Sequence, residues 1–226
     1  ITNRSTLNQC IASYLSTPHF NSLKPSTQTV YKQALTSISE TVLDTKTLGG
    51  LRLNTLTPQV CQEAYGRWVS QSTAQAASNT RIFSVVMSYC MSLEVIHRNP
   101  MKSVKKVNHT PESIVWTKEQ VKKFLDVAFT EFRWRSVALI VFMAYEWCQR
   151  PIDIRLLTWD QFDFDEKKVC IKQEKRGAEV ELPISDDLLR LLSEQKEDFD
   201  FQDYVVPYLA SDKQWKPLDR SYLTML

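Results

Sequence analysis

The residues best suited to chemistry lie within 144–165, in the stretch AYEWCQRPIDIRLLTWDQFDFD. An apolar helix is predicted to end near Arg150, and Pro151 then begins a new short helix, because proline is favoured at the first helical position. Arg150 therefore lies beside a helix N-terminus, where free N–H groups and the helix dipole favour an anion. Its planar guanidinium fits phosphate oxygens. The pattern predicts a phosphate clamp, although by itself it is more typical of an ordinary surface arginine.

The elements that position Arg150 form a predicted second domain, residues 113–226. Thr117 and Gln120 have the spacing of a capping box and predict a helix that runs to about Phe129. A buried helix follows at 134–147. Strands at 167–173 and 178–184 flank the turn EKRG (174–177), which predicts a β-hairpin. A helix at 186–196 and the start of another at 217–226 complete the pattern.

The first hundred residues predict a compact helical module. Apolar residues recur at helical spacing over roughly 6–16, 26–41, 57–70 and 72–95. Asn99-Pro100 ends the last helix, since a residue before proline avoids the α region. Residues 101–112 are basic and poor in large apolar groups, which predicts an interdomain linker. The expected fold class is mainly α, a four-helix bundle followed by a domain with a small antiparallel β-sheet.

Composition is ordinary for a globular protein of 226 residues, with 43% hydrophobic and 24% charged residues. No apolar run reaches transmembrane length and no signal peptide is visible, so a cytoplasmic protein without membrane contact is expected. The cysteines are odd in number and lack CxxC spacing. They predict buried thiols in a reducing compartment rather than disulfides or a zinc site. These are Cys10, Cys61, Cys90, Cys148 and Cys170.

Charge is distributed unevenly along the chain. Residues 1–105 carry ten Lys/Arg against four Asp/Glu, whereas residues 106–226 carry 18 against 22. The basic excess continues through the segment 98–123, which holds seven Lys/Arg and two Asp/Glu. A basic first half is typical of a nucleic-acid footprint, and an ordinary solvated lysine face explains the charge equally well.

The order of these parts resembles the tyrosine recombinase (phage-type integrase) family. A basic helical module precedes Arg-x-x-(Asp/Glu)-(Leu/Ile)-x-x-Leu-x-Trp, and a hairpin with a lysine in its turn follows. KQEKRGAEVELPIS (172–185) resembles the strand–turn–strand of the family. The N-terminal module resembles its SAM-like core-binding domain. The matching residues of the motif are Arg150, Asp153, Ile154, Leu157, Trp159 and Asp163.

The resemblance implies covalent strand transfer on DNA. In this family a tyrosine attacks a DNA phosphate, giving a 3′-phosphotyrosyl link and a 5′-hydroxyl, without metal or other cofactor. Arg150 is implied to stabilise charge on the phosphate oxygens, and Lys175 to protonate the leaving 5′-oxygen. Asp153 is implied to support Arg150. An ordinary exposed hairpin lysine is the alternative for Lys175, and neighbouring Arg176 is an alternative cation.

The resemblance also implies which residues contact DNA. In similar proteins the second and fourth helices of the module face the major groove. The basic composition of the linker separately predicts that its lysines lie along a phosphate backbone. Ordinary polar positions on exposed helix faces are an equal alternative. Asn79 and Thr80 are weaker candidates. The DNA-binding candidates are Thr27, Thr29, Lys32, Arg81, Lys102, Lys105, Lys106 and Arg176.

The chain departs from the family pattern downstream of the hairpin. The family site also requires a His-x-x-Arg pair and a later tyrosine, but all three histidines, at 19, 97 and 109, precede Arg150. Tyr204, Tyr208 and Tyr222 follow the hairpin, yet they occupy the intervening segment rather than the nucleophile position. We expect a C-terminally truncated catalytic domain that holds half an active site and does not cleave DNA alone.

The leading hypothesis is a site-specific recombinase that acts on double-stranded DNA, as a homotetramer in its full-length form. No small-molecule substrate is expected. The first alternative is a non-catalytic DNA-binding protein that retains the integrase fold. The second is a helical interaction protein without a nucleic-acid role, which salt-dependent binding to duplex DNA would exclude.

Overall fold

A computed structural model of the chain describes residues 1–107, 115–175 and 177–219. The chain divides into two compact units, Ile1–Glu112 and Ser113–Leu226. The predicted entry at 113–114, the linker residues 108–112, the Arg176 position and most of the helix predicted at 217–226 lie outside the described residues. The fold class is confirmed as mainly α with small antiparallel sheets.

Four long helices build the first unit, and their starts follow local capping chemistry. The side chains of Thr6, Thr57 and Ser72 each accept a hydrogen bond from the backbone at the start of their helix, where N–H groups otherwise lack partners. The helices are α1 (Leu7–Leu15), α3 (Pro25–Glu40), α4 (Pro58–Gln71) and α5 (Thr73–Ser92), which confirms the predicted set within a few residues. A short α2 (Pro18–Asn21) and the two-residue strands β1 (Val42–Leu43) and β2 (Lys46–Thr47) were not predicted.

The core of this unit is apolar and closely packed. Phe20, Leu35 and Phe83 are among its fully buried side chains. A short 3₁₀ helix, Leu48–Gly50, brings the backbone against α1 and α3. A Cβ atom on Gly49 would overlap the Asn8 amide oxygen and the Ser39 hydroxyl, so a larger residue there would displace the hydrogen bond that joins these two side chains.

Two of the cysteine expectations are wrong. Cys10 on α1 and Cys90 on α5 form a disulfide, although 80 residues separate them in the sequence. Their pairing depends on the packing of the first helix against the last, which spacing in the sequence does not reveal. Cys148 and Cys170 are exposed rather than buried, whereas Cys61 is a buried free thiol.

The second unit combines helices with a three-stranded antiparallel sheet in the order β3-β4-β5. Thr117 and Gln120 form the predicted capping box at the start of its first helix. Val169 and Ile171 on β4 face the core while their neighbours face solvent, as the period of two requires. The elements are α6 (Lys118–Ala128), α7 (Phe132–Trp147), α8 (Pro151–Arg155), β3 (Phe162–Asp163), β4 (Lys168–Lys172), β5 (Glu179–Pro183), α9 (Asp186–Phe199), β6 (Pro207–Leu209) and β7 (Trp215–Pro217).

Candidate active site and DNA-contacting surface

Arg150 lies between two helices, as predicted. Helix α7 ends with Cys148 in the left-handed conformation (φ 52°), which turns the chain sharply. Arg150 is extended and is the N-cap residue of α8, and Pro151 begins that helix. The indole Nε1 of Trp147 donates to the Pro183 carbonyl over 2.9 Å, which fixes the end of α7 to the end of β5. The Arg150 side chain is 42% exposed, so its donors remain accessible to an anion.

Asp153 connects Arg150 to the hairpin. Its carboxylate is fully buried, and Oδ2 lies 3.5 Å from Arg150 Nη1. The other oxygen, Oδ1, accepts a hydrogen bond of 2.8 Å from the backbone N–H of Glu174. A buried carboxylate is stable only when its oxygens are paired, and both oxygens of Asp153 have partners. One side chain therefore holds the arginine and the hairpin turn together.

The turn presents Lys175 to solvent. Gly177 adopts φ +67°, a conformation that glycine reaches without steric cost, and its N–H donates to the Gln173 carbonyl over 2.7 Å. Lys175 is exposed and, among the residues that the structure describes, has no side-chain hydrogen bond or ion pair. It directly follows Glu174, whose backbone Asp153 holds.

Two glutamines that the sequence reasoning missed also connect these elements. Gln149 Oε1 accepts from Gln173 Nε2 over 2.9 Å, which joins the residue before Arg150 to the last residue before the turn. Gln161 Nε2 donates to the Cys170 carbonyl over 3.0 Å. Adjacency to Arg150 was a signal for Gln149, but its partner could not be read from the sequence. A cleft of about 290 Å³ lies between α8 and the hairpin and is lined in part by Asp153, Gln173 and Gly177.

Two of the tyrosines after the hairpin, Tyr204 and Tyr208, lie within the described residues and take part in pairing and packing. Tyr208 lies on β6 against the core of the second unit. Tyr204 pairs through its backbone with Thr158. His19 and His97 are exposed in the first unit. His109 and Tyr222 lie outside the described residues.

The DNA-contact candidates on α3 and α5 differ in exposure. Thr29 and Lys32 are exposed, whereas Thr27 is half-buried. The Thr29 hydroxyl donates to the Pro25 carbonyl over 3.0 Å, and Lys32 Nζ lies 6.0 Å from the centre of the Phe20 ring.

On α5, Arg81 is exposed. The weaker candidates Asn79 and Thr80 are only 1% and 2% exposed, and the Asn79 amide donates to the Ser37 hydroxyl. Because buried side chains cannot reach a base edge, the structure removes both from the candidate surface.

The lysines after α5 are displayed on a fixed segment. Lys102 lies in a 3₁₀ helix, Pro100–Ser103, and Lys105 and Lys106 follow it; all three side chains are exposed. Met101 and Val104 are 2% and 7% exposed and belong to the core of the first unit. The first half of the predicted linker is thus packed onto the helical module. Arg176, the remaining candidate, lies outside the described residues.

Within residues 1–107, 115–175 and 177–219, no helix is both long and apolar enough to cross a bilayer. Across the same stretches, no group of three or more His, Cys, Asp and Glu could ligate a metal ion.

A helical module followed by a helical domain with a lysine-tipped hairpin is the order of parts in which the sequence resembles the phage-type integrases, and comparison with known proteins agrees. Residues 115–222 match the model of the phage integrase family, which agrees with the resemblance that the motif around Arg150 carries. No curated protein matches the chain.

Solved structures of two integrases share the fold of both units. A lambda integrase dimer bound to a COC′ core site matches with a TM-score of 0.79 and 16% identity, over 98% of this chain and 61% of that one. A lambda integrase tetramer bound to a Holliday junction gives the same TM-score and identity, over 99% and 64%. The Tn1549 transposon integrase in complex with a circular intermediate DNA gives 0.75 and 11%, over 93% and 73%. The chain thus spans less than two thirds of the length of the first two.

Proposed function

We propose that this protein is a site-specific DNA recombinase that cuts and rejoins double-stranded DNA through a 3′-phosphotyrosyl intermediate. The observation that carries the proposal is the buried carboxylate of Asp153, which holds Arg150 and the backbone of the Lys175 turn at the same time. The integrase family match over residues 115–222 supports the same reaction class.

In the proposed reaction the deprotonated oxygen of a tyrosine attacks the scissile phosphorus, and the bond from phosphorus to the 5′-oxygen breaks. Arg150 donates hydrogen bonds to the non-bridging oxygens, where negative charge accumulates in the transition state. Lys175 transfers a proton to the leaving 5′-oxygen. Because the phosphotyrosyl link preserves the energy of the phosphodiester, the 5′-hydroxyl can attack it later and restore the strand.

We propose that these 226 residues do not complete the reaction alone. No histidine follows Arg150 in the sequence, so a His-x-x-Arg pair cannot occur at its place in the family order. The nucleophile and the second arginine are then supplied by a segment outside these residues. By analogy with the lambda integrase tetramer on a Holliday junction, the working form is a homotetramer on paired DNA sites.

The test compares Arg150→Ala and Lys175→Ala with wild type in the protein expressed from its complete coding sequence. DNA binding is expected to survive both changes, because most of the candidate DNA-binding residues lie in the first unit, while strand cleavage is lost or severely slowed. A Lys168→Ala variant is the matched control, since this lysine is exposed on β4 of the same hairpin and does not line the cleft between α8 and the hairpin. Wild-type cleavage by Arg150→Ala and Lys175→Ala would refute the site.

The same comparison separates the enzyme from a non-catalytic DNA-binding protein of the same fold. A wild-type protein that binds duplex DNA but never forms a covalent protein–DNA adduct would support the alternative. Adduct formation can be followed by the altered mobility of labelled DNA under denaturing conditions.

A further inference from the structure

A basic strap, defined here as residues 99–107, follows α5 and contains lysines but no acidic residue. Its first residue is tied to α5. The Asn99 amide donates to the Ser84 carbonyl over 2.8 Å and to the Ser88 hydroxyl over 3.0 Å. Its Oδ1 accepts from the Met101 N–H over 3.0 Å. The first half of the strap therefore has a defined path.

The second half of the strap is held by α4. Gln62 forms a two-point pair with the backbone of Lys105: its Oε1 accepts from the N–H over 2.8 Å, and its Nε2 donates to the carbonyl over 3.2 Å. The Tyr65 hydroxyl accepts from the Val107 N–H over 2.8 Å. Both contacts join positions 42 or 43 residues apart in sequence. A side-chain amide paired with both polar groups of one residue fixes the direction of the backbone there.

These contacts restrain the backbone while leaving the charged side chains free. The side chains of Lys105 and Lys106 are exposed. Gln62 binds only the backbone of Lys105, and Tyr65 binds only the backbone of Val107. Glu63, the acidic neighbour on α4, forms an ion pair with Arg67 over 3.6 Å. Side chains of α4 thus hold the strap by its peptide groups and not by its charges.

We propose that Gln62 and Tyr65 are positioning residues for DNA binding. They hold the basic strap in one conformation, so that the strap is already ordered when its lysines contact a phosphate backbone. The inference rests on the proposed function, since it assumes that duplex DNA is the partner. A free strap would lose backbone entropy on binding, and an ordered strap has already lost it on folding. The positioning residues thereby raise affinity without contacting DNA.

The test measures binding of the 226-residue chain to a short fluorescein-labelled duplex by anisotropy, over a range of salt concentrations. Gln62→Met keeps the apolar stem and removes the amide, and Tyr65→Phe removes only the hydroxyl. Each variant is expected to bind about three- to tenfold more weakly, the range that follows from losing one or two net hydrogen bonds. Backbone amide exchange at positions 105 and 107 should accelerate in the same variants.

The salt dependence distinguishes positioning from charge. The positioning variants keep every lysine, so the slope of log K against log salt should equal that of wild type. A Lys105→Ala/Lys106→Ala variant should lower the slope by about 2, because two phosphate contacts are lost. Gln59→Met is the matched control, since Gln59 is exposed on the same helix; it should bind as wild type does.

Wild-type affinity of both positioning variants, together with accelerated exchange at the strap, would overturn the inference and leave the proposed DNA binding intact. A slope that falls as it does in the lysine variant would also overturn it. Absence of any binding by the wild-type chain at low salt would refute the proposed function itself. If Tyr65→Phe proves unstable, Gln62→Met decides the outcome, because Gln62 is only partly buried.

Discussion

Replacement of Asp153 by alanine should destabilise the second unit and free the hairpin turn. The change removes the acceptor of the Glu174 N–H, and hydrogen bonds to charged groups contribute about 1.5–3 kcal/mol. The Arg150 ion pair adds less than about 1 kcal/mol, because that side chain is 42% exposed and the two atoms are 3.5 Å apart. We therefore expect a loss of about 2 kcal/mol in the free energy of unfolding.

Tryptophan fluorescence is a suitable assay for Asp153→Ala, since five of the six tryptophans lie in the second unit. For a domain of this size, about 2 kcal/mol lowers Tm by on the order of 10 °C. Amide exchange at Glu174 should accelerate in parallel. Asp153→Asn keeps the volume and one acceptor oxygen, so its loss should be about half as large.

The control for this prediction is Asp160→Ala, which removes an exposed carboxylate from the same region and should change stability by less than about 0.5 kcal/mol. A loss of that small size in Asp153→Ala, with unchanged exchange at Glu174, would refute the reasoning. The contacts of Asp153 with Arg150 and with the hairpin would then make no measurable contribution to the free energy of unfolding.

Other perturbations have equally definite outcomes. Gly49→Ala should lower the free energy of unfolding of the first unit by about 1–3 kcal/mol in chemical denaturation, because its Cβ would overlap two side chains. Cys61 should react far more slowly with a thiol reagent at neutral pH than Cys148, because burial raises the pKa of Cys61 to about 12 and excludes the reagent. The Lys167 ammonium donates a hydrogen bond of 2.7 Å to Asp186 and lowers the pKa of that carboxyl group. The pair therefore stabilises the fold fully above the pKa of Asp186 in the unfolded chain, about 3.8. This stabilisation is lost as the pH falls through the lower pKa of Asp186 in the folded protein. Lys167→Ala should return the pKa of Asp186, measured by NMR titration, towards its ordinary value.

Each of these predictions has a control and a contradicting result. Gly66→Ala introduces a Cβ with no atom within 4 Å in the middle of α4 and should raise stability slightly, so an equal loss at both glycines would exclude overlap as the cause. Cys170 is exposed and should react as Cys148 does. Fast reaction of Cys61 would contradict its burial. An unchanged Asp186 pKa in Lys167→Ala would show that the ammonium is not the cause of the shift.

The parts of the fold that depend on local chemistry could be predicted from the amino-acid sequence. Helix limits followed from apolar spacing and from capping residues such as Thr117, and the hairpin from alternation around Gly177. The position of Arg150 at a helix start followed from Pro151 alone. These features depend on interactions among a few neighbouring residues, so a short stretch of sequence is enough to predict them.

Contacts between groups that are distant in the sequence could be identified only in the folded chain. Asp153 and Glu174 are 21 residues apart, Gln62 and Lys105 are 43 apart, and Cys10 and Cys90 are 80 apart. No periodicity encodes such contacts, because they arise when whole helices pack and bring unrelated positions into register. The same packing decided burial and took the polar Asn79 into the core. Residue types could therefore be chosen from the sequence, but their partners came from the fold.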